Sequence, residues 1–90
     1  MTREGDGLLA VLGIAADASA MSEAALAGDF DEARFRAQLI RDAAVIARLP
    51  GVVSAAGDVL GSLGAFGTPP DPGYGTDMLR VADEIDRIRL

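Results

Sequence analysis

Apolar residues recur along this chain at three- and four-residue steps, and no stretch alternates with the period of two that a half-buried strand requires. The pattern predicts helices throughout. The first is expected over about Gly7 to Ala27, with Leu8, Val11, Leu12, Ala15, Ala18, Met21, Ala25 and Leu26 as its apolar stripe. "GDFDEAR" then breaks and restarts the chain. Gly28 suits a helix end, and Asp29 with Glu32 three residues on makes a capping-box-like start. A second helix follows from about Phe30 to Arg48. Pro50 lacks an amide donor and disfavours a helical Leu49, yet fits a first helical turn, so a third helix should begin at once. Whether Pro50 kinks one helix or separates two stays open at this level. The third stripe is Val52, Val53, Ala56, Val59, Leu60 and Leu63, with Phe66 at its end. Gly57, Gly61 and Gly64 run along it, which suggests a thin helix packed closely on a neighbour. "GTPPDPGYG", residues 67–75, reads as an irregular loop. Thr76 or Asp77 then caps a last helix whose Met78, Val81, Ala82, Ile85 and Ile88 face inward, with Asp83 and Arg87 paired four apart. The sum is one all-α domain over residues 1–90, an up-and-down bundle of three to four helices, with residues 1–6 and 67–75 irregular.

Composition narrows the chemistry. The chain has 90 residues and no cysteine, histidine or tryptophan, and all eight of its positive charges are arginine. Disulfides, thiol catalysis, imidazole bases and amine nucleophiles are thereby removed, leaving carboxylates, hydroxyls and Tyr74. The expectation is a protein that is not an enzyme and takes no cofactor. A chain this size has a small stability margin that dimerisation would widen, although nothing in the sequence demands a homodimer. The arginine-only, alanine- and glycine-rich composition suggests a bacterial source.

The net charge of −6 is unevenly placed. Residues 1–32 hold seven acids and one arginine, whereas residues 33–90 hold seven of each. Phosphate binding needs a net basic footprint, so no nucleic-acid partner is expected. The opening "MTREGDG" lacks the basic-then-apolar order of a secretory signal. The run "GLLAVLGIAA" halts at Asp17, short of a bilayer's thickness. No membrane partner and a cytoplasmic location are the resulting expectations.

The second helix carries the most informative surface. At about 100° per residue, Gln38, Arg41, Val45 and Arg48 fall within roughly 40° of Arg34 on one strip. Phe35, Leu39, Ile40, Ala44 and Ile46 occupy the broad opposite arc, with Arg36 the single charge inside it. A solvated face, its arginines paired with the acidic first helix, would explain the strip. So would a docking face, because an exposed valine ringed by arginines and a glutamine has the make-up of a small interface centre, to which an acidic partner is steered.

The segment "ALAGDFDEARFRAQLIRDAAVIARLPGVVSAAGDVLGSLGA" resembles the central part of histidine-containing phosphotransfer (HPt) domains. "ALAGDF" matches the family's glycine–aspartate turn, "QLIRDAA" falls where the family has H-x-L-K-G-A-A, and "LPGVVSAAGDVLG" matches the next helix. The likeness spans roughly residues 8–66. Gln38 would stand at the phosphorylatable histidine and cannot carry a phosphoryl group. Arg41 keeps the positive charge of the family's lysine. Asp42 replaces a glycine that admits the receiver domain, and its carboxylate would crowd and repel phosphate. The resemblance thus implies a phosphotransfer-dead relative that docks a response-regulator receiver or a histidine kinase through Arg34, Gln38, Arg41, Val45 and Arg48. The alternative is a small helical export or assembly chaperone, or a homodimeric structural bundle, binding an amphipathic segment in an apolar groove.

Other clusters read more simply. Asp29, Asp31 and Glu32 lack the spacing of a calcium loop and suit helix capping. Asp83, Glu84 and Asp86 suit a solvated face, so no metal is expected. "TPPDPGY" reads more simply as a connector than as a ligand for a proline-reading module.

Overall fold

A computed structural model of the chain describes residues 3–88 and contains four helices: α1 (Arg3–Leu26), α2 (Phe30–Ile46), α3 (Pro50–Leu63) and α4 (Tyr74–Asp86). The chain is all-α, with no strand among the described residues. The helices run up and down. α1 packs along α2, α2 along α3 and α3 along α4, whereas α1 and α4 meet only over a short stretch, so the bundle is open along that seam.

Two tight turns of one design set this order. At α1–α2 the Asp29 amide donates to the Ala24 carbonyl and the Gly28 amide to Ala25, with Gly28 at φ 78°. At α2–α3 the Leu49 amide donates to Ala44 and the Arg48 amide to Val45, with Arg48 at φ 59°. Both are Schellman motifs, in which one residue in the left-handed region reverses the chain and satisfies the last carbonyls. The second turn ends α2 two residues earlier than the sequence predicts, and Pro50 opens α3 directly, so two separate helices result. Asp29 accepts the Glu32 amide at 3.1 Å and caps α2 as anticipated.

The core is built from Ile14, Met21, Ala24 and Ala25 of α1, Ala33, Ala37, Ile40 and Ala44 of α2, Val52, Ala55, Ala56, Val59 and Leu63 of α3, and Met78 and Val81 of α4. So many alanines bring the helices close, and every buried side-chain polar atom among the described residues has a hydrogen-bond partner. An edge-to-face contact of Phe30 on Tyr74, 5.4 Å between centroids, joins the starts of α2 and α4.

Several expectations are corrected. α1 begins at Arg3, so residues 3–6 are helical rather than irregular. Its anticipated stripe divides: Met21 and Ala25 lie in the core, joined there by Ile14, which the stripe left out, while Leu8, Leu12 and Leu26 are 42%, 57% and 90% exposed. Asp17 does not end the apolar run. It pairs with Arg36 and the helix continues, so that Gly7–Leu26 has the length and hydropathy of a membrane-crossing helix. Phe35, Ile46 and Phe66, expected inside, are largely exposed. Gly57 and Gly61 face open space instead of a neighbouring helix. α4 starts at Tyr74 with no side-chain cap, and Arg87 lies by Glu84 rather than Asp83.

Candidate protein-docking face

The five residues of the predicted strip do not all lie on one surface. Arg34 is buried, 1% exposed, and belongs to the fold. Its Nε–H donates to the Leu63 and Gly64 carbonyls, both at 3.1 Å. Nη2 donates to Leu63 at 2.5 Å and to the Thr68 carbonyl, and Nη1 meets Asp31 at 2.6 Å. One guanidinium therefore closes the C-terminus of α3, where carbonyls have no helical partner, and ties down the loop that follows. Asp31 completes the clamp by accepting the Gly67 amide at 2.9 Å. That amide first, and the Arg34 guanidinium next, hold the Asp31 carboxyl below its ordinary range. The helical wheel could not show this, because it holds no information on where α3 ends.

The remaining four residues sit where a partner can reach them. Gln38 and Val45 are exposed, Val45 to 58%, and Arg41 is half-buried. Their spacing of three and four residues along an unbroken α2 places them on one face. Asp42 is exposed beside them, its carboxylate 3.9 Å from Arg41 Nε. Arg48 is exposed just past the helix end, in the left-handed conformation that turns the chain. Beside it, at the α2–α3 junction, lies a shallow and mostly apolar depression of about 560 Å³, lined by Ala44, Val45, Arg48, Leu49, Pro50, Val53 and Ser54. Sequence reasoning missed this depression. Its one signal was Leu49–Pro50, which forces a corner between two apolar helices.

Arg36 is not part of this face. It bonds Glu32 at 2.7 Å and Asp17 at 3.0 Å, and those carboxylates, Glu32 foremost, raise its pKa further above the ordinary value. The acidic first helix thus pairs with the second through Arg36, while Arg41 and Arg48 stay directed to solvent or to Asp42. Among the described residues no group of acids is placed to hold a metal. Asp29 and Asp31, weighed as ligands, are used in capping and in the Arg34 clamp.

Comparison of the chain with family models, with curated proteins and with solved structures finds no match.

Proposed function

We propose that this chain is a non-catalytic protein-interaction domain whose docking face is Gln38, Arg41, Val45 and Arg48 around the α2–α3 depression. The observation that carries the proposal is Val45, an apolar side chain left in solvent at the lip of an apolar hollow with a guanidinium on either side. Burying the valine supplies affinity, and the arginines orient a carboxylate-bearing partner. Arg34 is withdrawn from the face. The partner class, taken from the HPt likeness of residues 8–66, is a receiver or histidine-kinase domain of two-component signalling. Four antiparallel helices with Gln38 outward on α2 support that likeness. Gln38 has no nucleophilic or basic group, so docking proceeds without phosphotransfer.

Calorimetric titration with isolated receiver domains tests this. Binding is expected that Arg41→Glu and Val45→Asp each weaken at least about tenfold, with no loss of helix content. Absence of binding to receivers and kinase domains alike would remove the partner class. Binding indifferent to both substitutions would remove the face. Gln38→His alone should still take no phosphate, because Asp42 stays beside it, and rapid phosphorylation of that variant would refute the blocked site. The alternative of a bundle that accepts an amphipathic helix is favoured by a separate observation, the open seam between α1 and α4.

A further inference from the structure

The outward face of α1 is a second regular stripe. Leu8, Leu12, Ala15, Ser19, Ser22 and Leu26 follow at steps of four, three, four, three and four, the period of a coiled-coil seam. It lies beside the core stripe, and within the described residues Leu8, Leu12, Ser19, Ser22 and Leu26 are exposed and Ala15 is half-buried. Two adjoining depressions of about 400 and about 420 Å³ run along its edge between α1 and α4 and share Ser22, Met78 and Ala82. Leu26 and Leu79, 90% and 68% exposed, flank the upper one.

From this geometry we infer that a second copy of the chain packs antiparallel on this stripe, about a two-fold axis level with Asp17. The stripe is complementary to its own reverse. With the axis at that level, Leu8 of one copy stands opposite Leu26 of the other, Leu12 opposite Ser22, and Ala15 opposite Ser19. Leucine meets small residue or leucine at every pair that carries bulk, and the small centre lets the helix axes approach, as an isologous contact requires. Leu12 of the second copy arrives at Ser22, where the two depressions join. Glu23 stands level with Val11 of the other copy and not with an acid. Asp17 itself is turned into its ion pair with Arg36.

The surface area agrees. A compact monomer of 9.2 kDa is expected to expose about 4,900 Å², and this chain exposes 5532 Å². The excess of about 600 Å² marks a chain less compact than a typical monomer, and a stable pair asks each partner to bury roughly 800 Å². The excess is carried by an elongated form, 43 × 18 × 17 Å. The 24-residue α1 is about 16 Å longer than the 13-residue α4. This inference narrows the alternative reading to one occupant and is independent of the α2 face.

Sedimentation equilibrium of the full chain, with and without Leu12→Glu or Leu26→Glu, tests it. Both leucines are more than half exposed, so either substitution leaves the monomer fold intact. The expected result is a reversible dimer that each substitution weakens at least about tenfold. Each copy carries −6, so the dimer should tighten from about 0.05 to about 0.5 M salt, where the screening length falls about threefold. Because the chain has no cysteine, Ala15→Cys mixed with Ser19→Cys should form a hetero-disulfide in preference to either homo-disulfide. A monomer at every concentration and salt overturns the inference. So does a dimer indifferent to both leucines, or preferred homo-disulfides, which indicate parallel helices. A monomer that instead binds a basic amphipathic peptide, or anionic vesicles, through Leu12 and Leu26 also overturns it, by assigning the stripe to another occupant. Receiver binding in Leu12→Glu, which leaves α2 untouched, reports on the docking face separately.

Discussion

Replacing Arg34 with methionine keeps the stem but strands the Leu63 and Thr68 carbonyls and leaves Asp31 without its cation. Carbonyls at a buried helix end cost more unpaired than paired ones contribute, so Arg34→Met is expected to destabilise by about 2–4 kcal/mol. Urea unfolding checks this, and an unchanged midpoint would contradict the clamp. Asp31 gives the clamp a pH dependence. Its carboxyl is depressed in the folded chain from an ordinary value of 3.8. Its contribution is therefore complete above that value and is lost as pH falls through the lower, folded one. Asp31→Asn should be less stable than the parent near neutrality but lose less on acidification, as urea midpoints at about pH 7 and about pH 3 would show. Arg48 is the opposite case, a non-glycine residue at φ 59° in a turn whose twin uses Gly28. Arg48→Gly should stabilise by about 0.5–1 kcal/mol by relieving the left-handed backbone while weakening partner binding. If stability and affinity moved together, Arg48 would have no place on the docking face.

At the scale of the element, α3 carries the clearest difference between pattern and packing. Its Gly57, Gly61 and Gly64 sit at helical spacing, which from sequence alone implies a close seam. A Cβ at Gly57 or Gly61 would meet nothing within 4 Å, whereas one at Gly51 would run into the carboxylate of Glu84. Among the α3 glycines, the one approached closely is thus Gly51 in the first turn, by a side chain of α4. Gly57→Ala with Gly61→Ala should stabilise by about 1–2 kcal/mol together, through lower backbone entropy in the unfolded chain. The thermal midpoint should rise by roughly 4–16 °C. A fall in midpoint would mean that those glycines do face a neighbour. On α2 the wheel placed Gln38, Arg41 and Val45 outward correctly because a three- and four-residue period directly encodes a face. It misplaced Arg34, Phe35 and Ile46, all near the helix ends, where the chain's other segments decide what is covered.

For the whole molecule the governing fact is a bundle that closes on three seams and stays open on the fourth. α2 and α3 each pack along two neighbours, whereas α1 packs along α2 and meets α4 only briefly, and its residues 7–13 are mostly exposed. Native-state hydrogen exchange of the dilute chain should give the greatest amide protection in Ala37–Ala44 and Val52–Val59, and the least helical protection in Gly7–Gly13. Equal protection of Gly7–Gly13 and α2 in a monomer would contradict the open seam.

The sequence by itself determined the helices, their breaks at Gly28 and Pro50, and the outward position of Gln38, Arg41 and Val45. Each of these follows from local steric rules or from the helical period, which act between residues close in the chain. Only the tertiary structure decided that Arg34 is a clamp and not a contact, that a hollow forms beside Val45, and that the apolar residues of α1 divide between a core and a bare stripe. Those outcomes depend on which segments distant in sequence end beside one another, and a hydrophobic pattern specifies that a face is apolar without specifying what covers it.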